Sequence, residues 1–256
     1  MNLRDRIIDC DQLSSEWFDL HVGRVTASGM KKVLAFYTQK GKLGAETKAR
    51  ADYKAMKVAE ILTGRLIQSN YVSDDMEDGI DKEPFARAAY QMRTGYDVDQ
   101  VGFVLHPTIE RCGCSPDGLM LDICGGLEIK CPRASTHIKY LIGEEVPDEY
   151  EPQVALQIRC ADLDWVDFVS YCPELPENLQ LFVKRMHRNE DRMREIDEKV
   201  MQFLYEVDSL VTRLNTLFPP TDAPGSPRHS QLNAQLEESL RILDEDILRV
   251  ESSWRV

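Results

Sequence analysis

Residues 114–132 read CSPDGLMLDICGGLEIKCP. An acid, Asp117, follows a proline, and an apolar run then carries Glu128 and Lys130. A strand that only packs has no use for two charges in its middle. Side chains alternate faces along a strand, so Glu128 and Lys130 share one face. Leu127, Ile129 and Cys131 take the other, toward a core. DICGG reads as a hairpin connection, and a hairpin lays Asp117 beside Glu128. Two carboxylates and one ammonium then meet at one spot.

Carboxylate oxygens are the ligands Mg²⁺ prefers, with waters and phosphate oxygens completing its shell. The carbonyl of Ile129, between the charged pair, offers another oxygen. Lys130 stands where it can orient a metal-bound water and favour its hydroxide form. Such a set polarises a phosphodiester, lowers the pKa of the attacking water and offsets charge on the leaving oxygen. The bland alternative is a surface salt bridge of Lys130 with Asp117 or Glu128, worth little. The Pro-Asp step, the hairpin spacing and the apolar flanks together outweigh it.

Around this stretch the periodicity changes twice. Upstream, Ser14 or Ser15 caps a short helix, and Thr26 or Ser28 caps the next. Residues 38–45 read as a loop. A helix over 46–63 ends at Gly64, and residues 65–77 read as irregular. The run 79–95 is helical, with Pro84 in its first turn or at a kink and Gly95 at its end. YDVDQVGFVLHP, RCGCSPDGLML and GGLEIKCP read as strands, EYEPQVALQIRCADL as a helix and WVDFVSYC as a further strand. From about 178 to 217 the pattern is helical, with Met193, Ile196, Val200, Phe203, Val207, Leu210, Leu214 and Leu217 as an apolar seam. Strands interleaved with helices imply a mixed α/β core, not a bundle. PPTDAPGSPRHS (219–230) is a linker by composition. The tail 231–256 repeats the amphipathic spacing at Leu236, Leu240, Leu243, Ile247 and Val250.

The 256 residues suffice for a sizeable core, and 43% hydrophobic with 29% charged residues excludes a disordered chain. No apolar run approaches the roughly 20 residues that span a bilayer. The start lacks a signal-peptide h-region, so an intracellular protein is expected. Seven cysteines without a CxxC pair fit reduced core thiols better than a metal site. The net charge of −13 argues against nucleic acid. Its distribution softens this: residues 1–65 hold 12 Lys and Arg against 8 Asp and Glu, a net of +4.

SPDG (115–118) with LEIKCP (127–132) resembles the PD-(D/E)xK nucleases. More closely it is similar to the phage λ exonuclease family, the YqaJ-like recombination-associated alkaline exonucleases. EWFDLHVGRVTAS (16–28), GIDKEPFARAAYQMRTG (79–95) and YEPQVALQI (150–158) extend the resemblance in the same order. It covers roughly 15–215.

The resemblance implies a restriction-endonuclease-like α/β (α+β) core, a central mixed sheet flanked by helices with a long C-terminal helical region. The exonuclease domain would span 1–218. Asp117 and Glu128 would be metal ligands, with Ile129 a backbone ligand and Lys130 the water-activating lysine. Glu83 matches an upstream glutamate that helps position the metal, although an i,i+4 pair with Arg87 would explain it too. Gln153 matches a glutamine near the nucleophile. Gln157 lies one turn on, where a solvated residue would also sit. Ser28 and Ser115 match contacts to a 5′-phosphate, and Met76 matches an apolar wedge that splits the duplex end. Two pocket arginines of the family align with His21 and Thr136 here, and Arg24, Arg133, His137 or Lys139 would compensate. His21 also fits an ordinary packed histidine.

The implied activity is Mg²⁺-dependent 5′→3′ digestion of double-stranded DNA from 5′-phosphate ends. Two ions per site are implied, and Mn²⁺ would substitute. The implied assembly is a homotrimeric ring working beside a single-strand annealing protein, in the cytoplasm of a bacterial host, encoded by a phage or prophage. A closed ring confines positive charge to its lumen and gives processivity a topological cause. Another PD-(D/E)xK endonuclease, or an inactive DNA-end-binding protein, are the alternatives.

Overall fold

The computed structural model describes residues 2–67 and 74–219, apart from the side chains of 74–78. The chain opens with β1 (Ile7–Ile8) and α1 (Ser15–His21). Ser14 is the N-cap of α1 and accepts from Trp17 N at 3.2 Å, which satisfies a helix donor without an internal partner. β2 (Val25–Thr26) leads through a 3-10 turn over Ala27–Gly29 into the single-turn α2 (Met30–Val33). Neither Thr26 nor Ser28 caps it, because Gly29 holds the N-cap position. α3 (Lys48–Thr63) is capped by Thr47 and stops at Gly64, whose φ of 64° is left-handed and free of strain for glycine. α4 (Asp74–Thr94) takes in the end of the stretch expected to be irregular and carries Pro84 in its interior, not its first turn.

The run RCGCSPDGLML, expected as one strand, is two. After β3 (Phe103–Leu105) come β4 (Cys112–Cys114) and β5 (Gly118–Met120), which lie in different sheets. Pro116 has no N–H to offer a ladder, and the chain changes sheets over Ser115–Pro116–Asp117. β6 (Gly125–Lys130) returns antiparallel to β5, pairing Gly118 with Leu127. α5 (Ala134–Gly143), absent from the sequence reading, precedes α6 (Glu151–Ala161) and β7 (Trp165–Tyr171).

The expected helix from 178 is corrected at its start. Leu181–His187 is a strand, β8, and only then does α7 (Glu190–Leu217) begin. β7 has an open edge, and β8 pairs with it antiparallel from Trp165↔His187 to Tyr171↔Leu181. A long-range ladder overrides the local period there.

Two four-stranded mixed sheets result, ordered β1-β3-β4-β2 and β5-β6-β7-β8. The main core gathers Val104, Cys112 and Cys114 with Val154, Leu156 and Ile158 of α6 and Ile196, Val200 and Phe203 of α7. A second cluster sets Ala86 and Tyr90 of α4 against Leu127, Ile129 and Val169. The α7 seam is buried from Met193 to Val207, whereas Leu214 and Leu217 are exposed. The chain divides into compact units Met1–Val211 and Thr212–Val256. The expected linker and tail lie, from residue 220, outside the described residues. All seven cysteines are free thiols. No described helix is long and apolar enough to cross a membrane.

Candidate active site

Pro116 turns the chain and Gly118 seats it. A Cβ at Gly118 would meet Val98 Cγ1 at 2.1 Å, so only glycine lets β5 start there. Asp117 is thereby set opposite Glu128, one step beyond the Gly118↔Leu127 pair. Its Oδ2 accepts from Ile129 N at 2.6 Å. Strand alternation holds as expected: Leu127 and Ile129 pack on α4, while Glu128 faces α6.

Glu128 is 1% exposed and accepts from three donors. Lys130 and Gln153 both reach Oε1, Gln153 at 2.6 Å, and Gln157 donates to Oε2. Lys130 Nζ also lies 5.3 Å from the centre of the Tyr150 ring, a cation–π distance. Glu83 pairs with Arg87, whose Nε donates to the Asp117 carbonyl at 3.2 Å. The helix pair and the site contact are thus one arrangement. A cleft of about 380 Å³ is lined by Glu83, Asp117, Ile129, Lys130 and Tyr150.

Negative charge is crowded here. Burial, reinforced by Glu128, holds the Asp117 carboxyl well above the usual carboxylate range, against the pull of Lys130. Burial raises Glu83 too, opposed by Arg87 and helped by Glu128. Lys130 loses from burial but gains more from Glu128 and Asp117, so its pKa rises. Acids that resist ionising because they are buried, and beside one another, are what a cation relieves. Among the described residues no three His, Cys, Asp or Glu side chains are gathered as a metal cluster. The donor chemistry is two carboxylates and a backbone oxygen, which fits a hard divalent ion that keeps several waters.

The residues expected around a 5′-phosphate are divided. β2 and β4 run parallel with Thr26 beside Gly113, so Ser28 and Ser115 leave the sheet at the same end. Ser28 is exposed, but it sits in a 3-10 turn and not at the start of a long helix. Ser115 Oγ accepts from Trp17 Nε1 at 2.8 Å. The His21 ring lies against Trp17 with centroids 3.8 Å apart and the planes tilted by 41°, and its Nδ1 lies 2.6 Å from Trp17 O. His21 is half-buried, and burial lowers its pKa. Arg24 bonds Leu20 O at 2.8 Å and keeps a buried Nε without a partner. Thr136 is half-buried in the first turn of α5 and Lys139 is exposed.

His137 departs from expectation. It is fully buried, with Nδ1 2.7 Å from Ser170 Oγ and Nε2 2.8 Å from Leu179 O. Both nitrogens are engaged inside the fold, so it does not reach a phosphate. Gln157 departs the other way: it is 0% exposed, not solvated, and touches Glu128. Its one-turn spacing from Gln153 was the available signal. The side chain of Met76 lies outside the described residues.

Residues 16–164 match the YqaJ-like viral recombinase domain. Among solved structures, an alkaline exonuclease (LHK-Exo) from Laribacter hongkongensis is 36% identical, with a TM-score of 0.71. The alignment covers 79% of this chain and 97% of that one. The same figures hold for LHK-Exo in complex with dAMP. A phage-related exonuclease from Haemophilus somnus 129PT, 13% identical over 75% of this chain and 96% of that one, shares the fold with a TM-score of 0.59. No curated protein matches the sequence. With the family domain matched over more than half of its length, the chain belongs to the YqaJ-like viral recombinase family.

Proposed function

We propose that this protein is a Mg²⁺-dependent deoxyribonuclease that digests linear duplex DNA from 5′-phosphate ends in the 5′→3′ direction. It releases mononucleotides processively and leaves a 3′ single strand for recombination by strand annealing. The observation that carries the reading is the meeting of Asp117 and Lys130 in one cleft, with the buried Glu128 bonded to Lys130 behind its wall and Asp117 pinned by the Asp117–Ile129 bond. The 36% identity to an alkaline exonuclease supports it.

Asp117, Glu128 and the Ile129 carbonyl would hold Mg²⁺, two ions per site, and Mn²⁺ substitutes. When bound, the metal supplies Lewis-acid polarisation of the phosphate and a more acidic water. Lys130 orients the attacking water and, as an ammonium, favours its deprotonated form. Gln153 keeps Glu128 turned toward Lys130, and Glu83 adds negative charge at the cleft wall. Ser28 and Ser115, at one sheet end, receive the terminal phosphate with Arg24 nearby in sequence, while His21 and Thr136 stand where the family's arginines align. The working form is a homotrimeric ring, partnered by a single-strand annealing protein in a bacterial cytoplasm.

The test follows mononucleotide release from a linear duplex labelled at either 5′ or 3′ terminus, with and without Mg²⁺. Early release of the 5′ label only with metal is expected. Cleavage of closed circular duplex would replace this reading with an endonuclease.

A further inference from the structure

α6 is buried along Val154, Ala155, Leu156 and Ile158, each 0% exposed. Gln157 sits among them, equally buried. Its Nε2 donates to Glu128 Oε2, while its Oε1 has no hydrogen-bond partner. A buried amide with an unpaired oxygen costs stability, and an apolar side chain of the same length would avoid the cost. The compensation lies in what the amide holds.

We propose that Gln157 is a positioning residue that fixes the Glu128 carboxylate for cation binding. This rests on the metal-nuclease reading above and assigns to that site a residue it does not otherwise use. Gln153 and Gln157 are one helical turn apart and straddle the carboxylate, one amide on each oxygen. A carboxylate held at one oxygen can rotate about its last torsion. Held at both by a single rigid helix, it cannot. Oε1 is thereby kept beside Lys130, and Oε2 is kept away from it. Both donors are neutral, so they orient the charge without cancelling it. Hydrogen-bonded partners behind a ligating carboxylate commonly set its affinity for the ion.

The experiment uses the full chain and Mn²⁺ as probe. Gln157→Met keeps the length and removes the donor. Gln157→His keeps an N–H for rescue and serves as the second variant if the first fails to fold. Calorimetric titration of DNA-free protein with Mn²⁺ should show affinity falling about 10–100-fold in Gln157→Met and less in Gln157→His. Thermal stability of Gln157→Met should stay near the parent's, since the substitution removes both the unpaired amide oxygen and the donor to the buried Glu128 Oε2. With duplex ends, kcat should fall while KM stays within about two-fold of the parent, since no DNA contact is lost. Equal Mn²⁺ affinity in parent and Gln157→Met, or a loss that follows falling thermal stability, would overturn the assignment. A parent that binds no Mn²⁺ would instead overturn the metal-nuclease reading beneath it.

Discussion

The Ile129 N–H donates to Asp117 Oδ2 at 2.6 Å, fastening the acid before β5 to the strand that carries Glu128 and Lys130. Asparagine offers the same acceptor without the charge. Asp117→Asn should therefore fold, keep this bond and lose nuclease activity by at least the about 100-fold that loss of an outer partner costs a metal site. It should also be more stable than the parent without metal. Burial and Glu128 raise the Asp117 pKa in the fold above its ordinary 3.8. An acid raised in this way binds protons more tightly in the native state, so it costs stability as pH climbs from 3.8 through the raised value. The melting-temperature advantage of Asp117→Asn should thus grow from pH 4 to pH 8. A constant difference would mean that Asp117 carries no such penalty.

Lys130 reaches Glu128 and faces the Tyr150 ring. Lys130→Ala should lower turnover by about 10²–10⁴-fold, the range of a lost proton-transfer group. Binding of 5′-phosphorylated duplex ends, followed by fluorescence anisotropy, should change little. Glu128 keeps both glutamine donors in the variant, so its burial stays compensated. Digestion at the parental rate would remove Lys130 from the chemistry.

The meeting of Asp117, Glu128 and Lys130 was legible because it rests on short-range rules: a two-residue period, a hairpin and a proline. Asp117, Glu128 and Lys130 follow from them alone. The same proline was under-read. It not only places Asp117 but moves the chain between sheets, which no local pattern states. β8 was missed for a related reason, since LFVKRMH mixes charged and apolar residues on both faces and becomes a strand through the edge of β7. His137 and Gln157 are both buried where a substrate contact and a solvated residue were expected, because burial of a polar residue depends on partners distant in sequence. The partner of His137 is Ser170, and that of Gln157 is Glu128.

His137 gives a prediction opposite to the phosphate-binding expectation. Leu179 O can only accept, so Nε2 carries the proton and Nδ1 accepts from the Ser170 hydroxyl. His137→Ala leaves both partners unpaired in a buried pocket and should cost about 2 kcal/mol or more in urea unfolding. The preference for 5′-phosphate over 5′-hydroxyl ends should be unaltered per folded molecule. A change in that preference with full stability would return His137 to the substrate.

α6, which carries both glutamines, is clasped to α7 by Asp197. Arg159 Nε reaches its two oxygens at 2.9 and 3.1 Å, and His106 Nε2 lies 3.0 Å from Oδ1. His106 Nδ1 accepts from Ile109 N at 3.0 Å, so the ring's proton is on Nε2 and points at Asp197. Burial works to raise the Asp197 pKa, but the bonds from His106 and Arg159 overcome it and lower the value below 3.8. A depressed carboxylate pKa contributes stability that is present above the unfolded value and lost as pH falls through the folded one. Asp197→Asn should therefore be less stable than the parent by about 1.5–3 kcal/mol at pH 7, the range for hydrogen bonds to a charged group. The deficit should hold at pH 5 and shrink below pH 3.8, where the unfolded chain takes up a proton that the folded carboxylate still resists. Urea unfolding at pH 7, 5 and 3.2 measures it. A deficit that does not change across these three values would show that shape, not charge, makes the clasp.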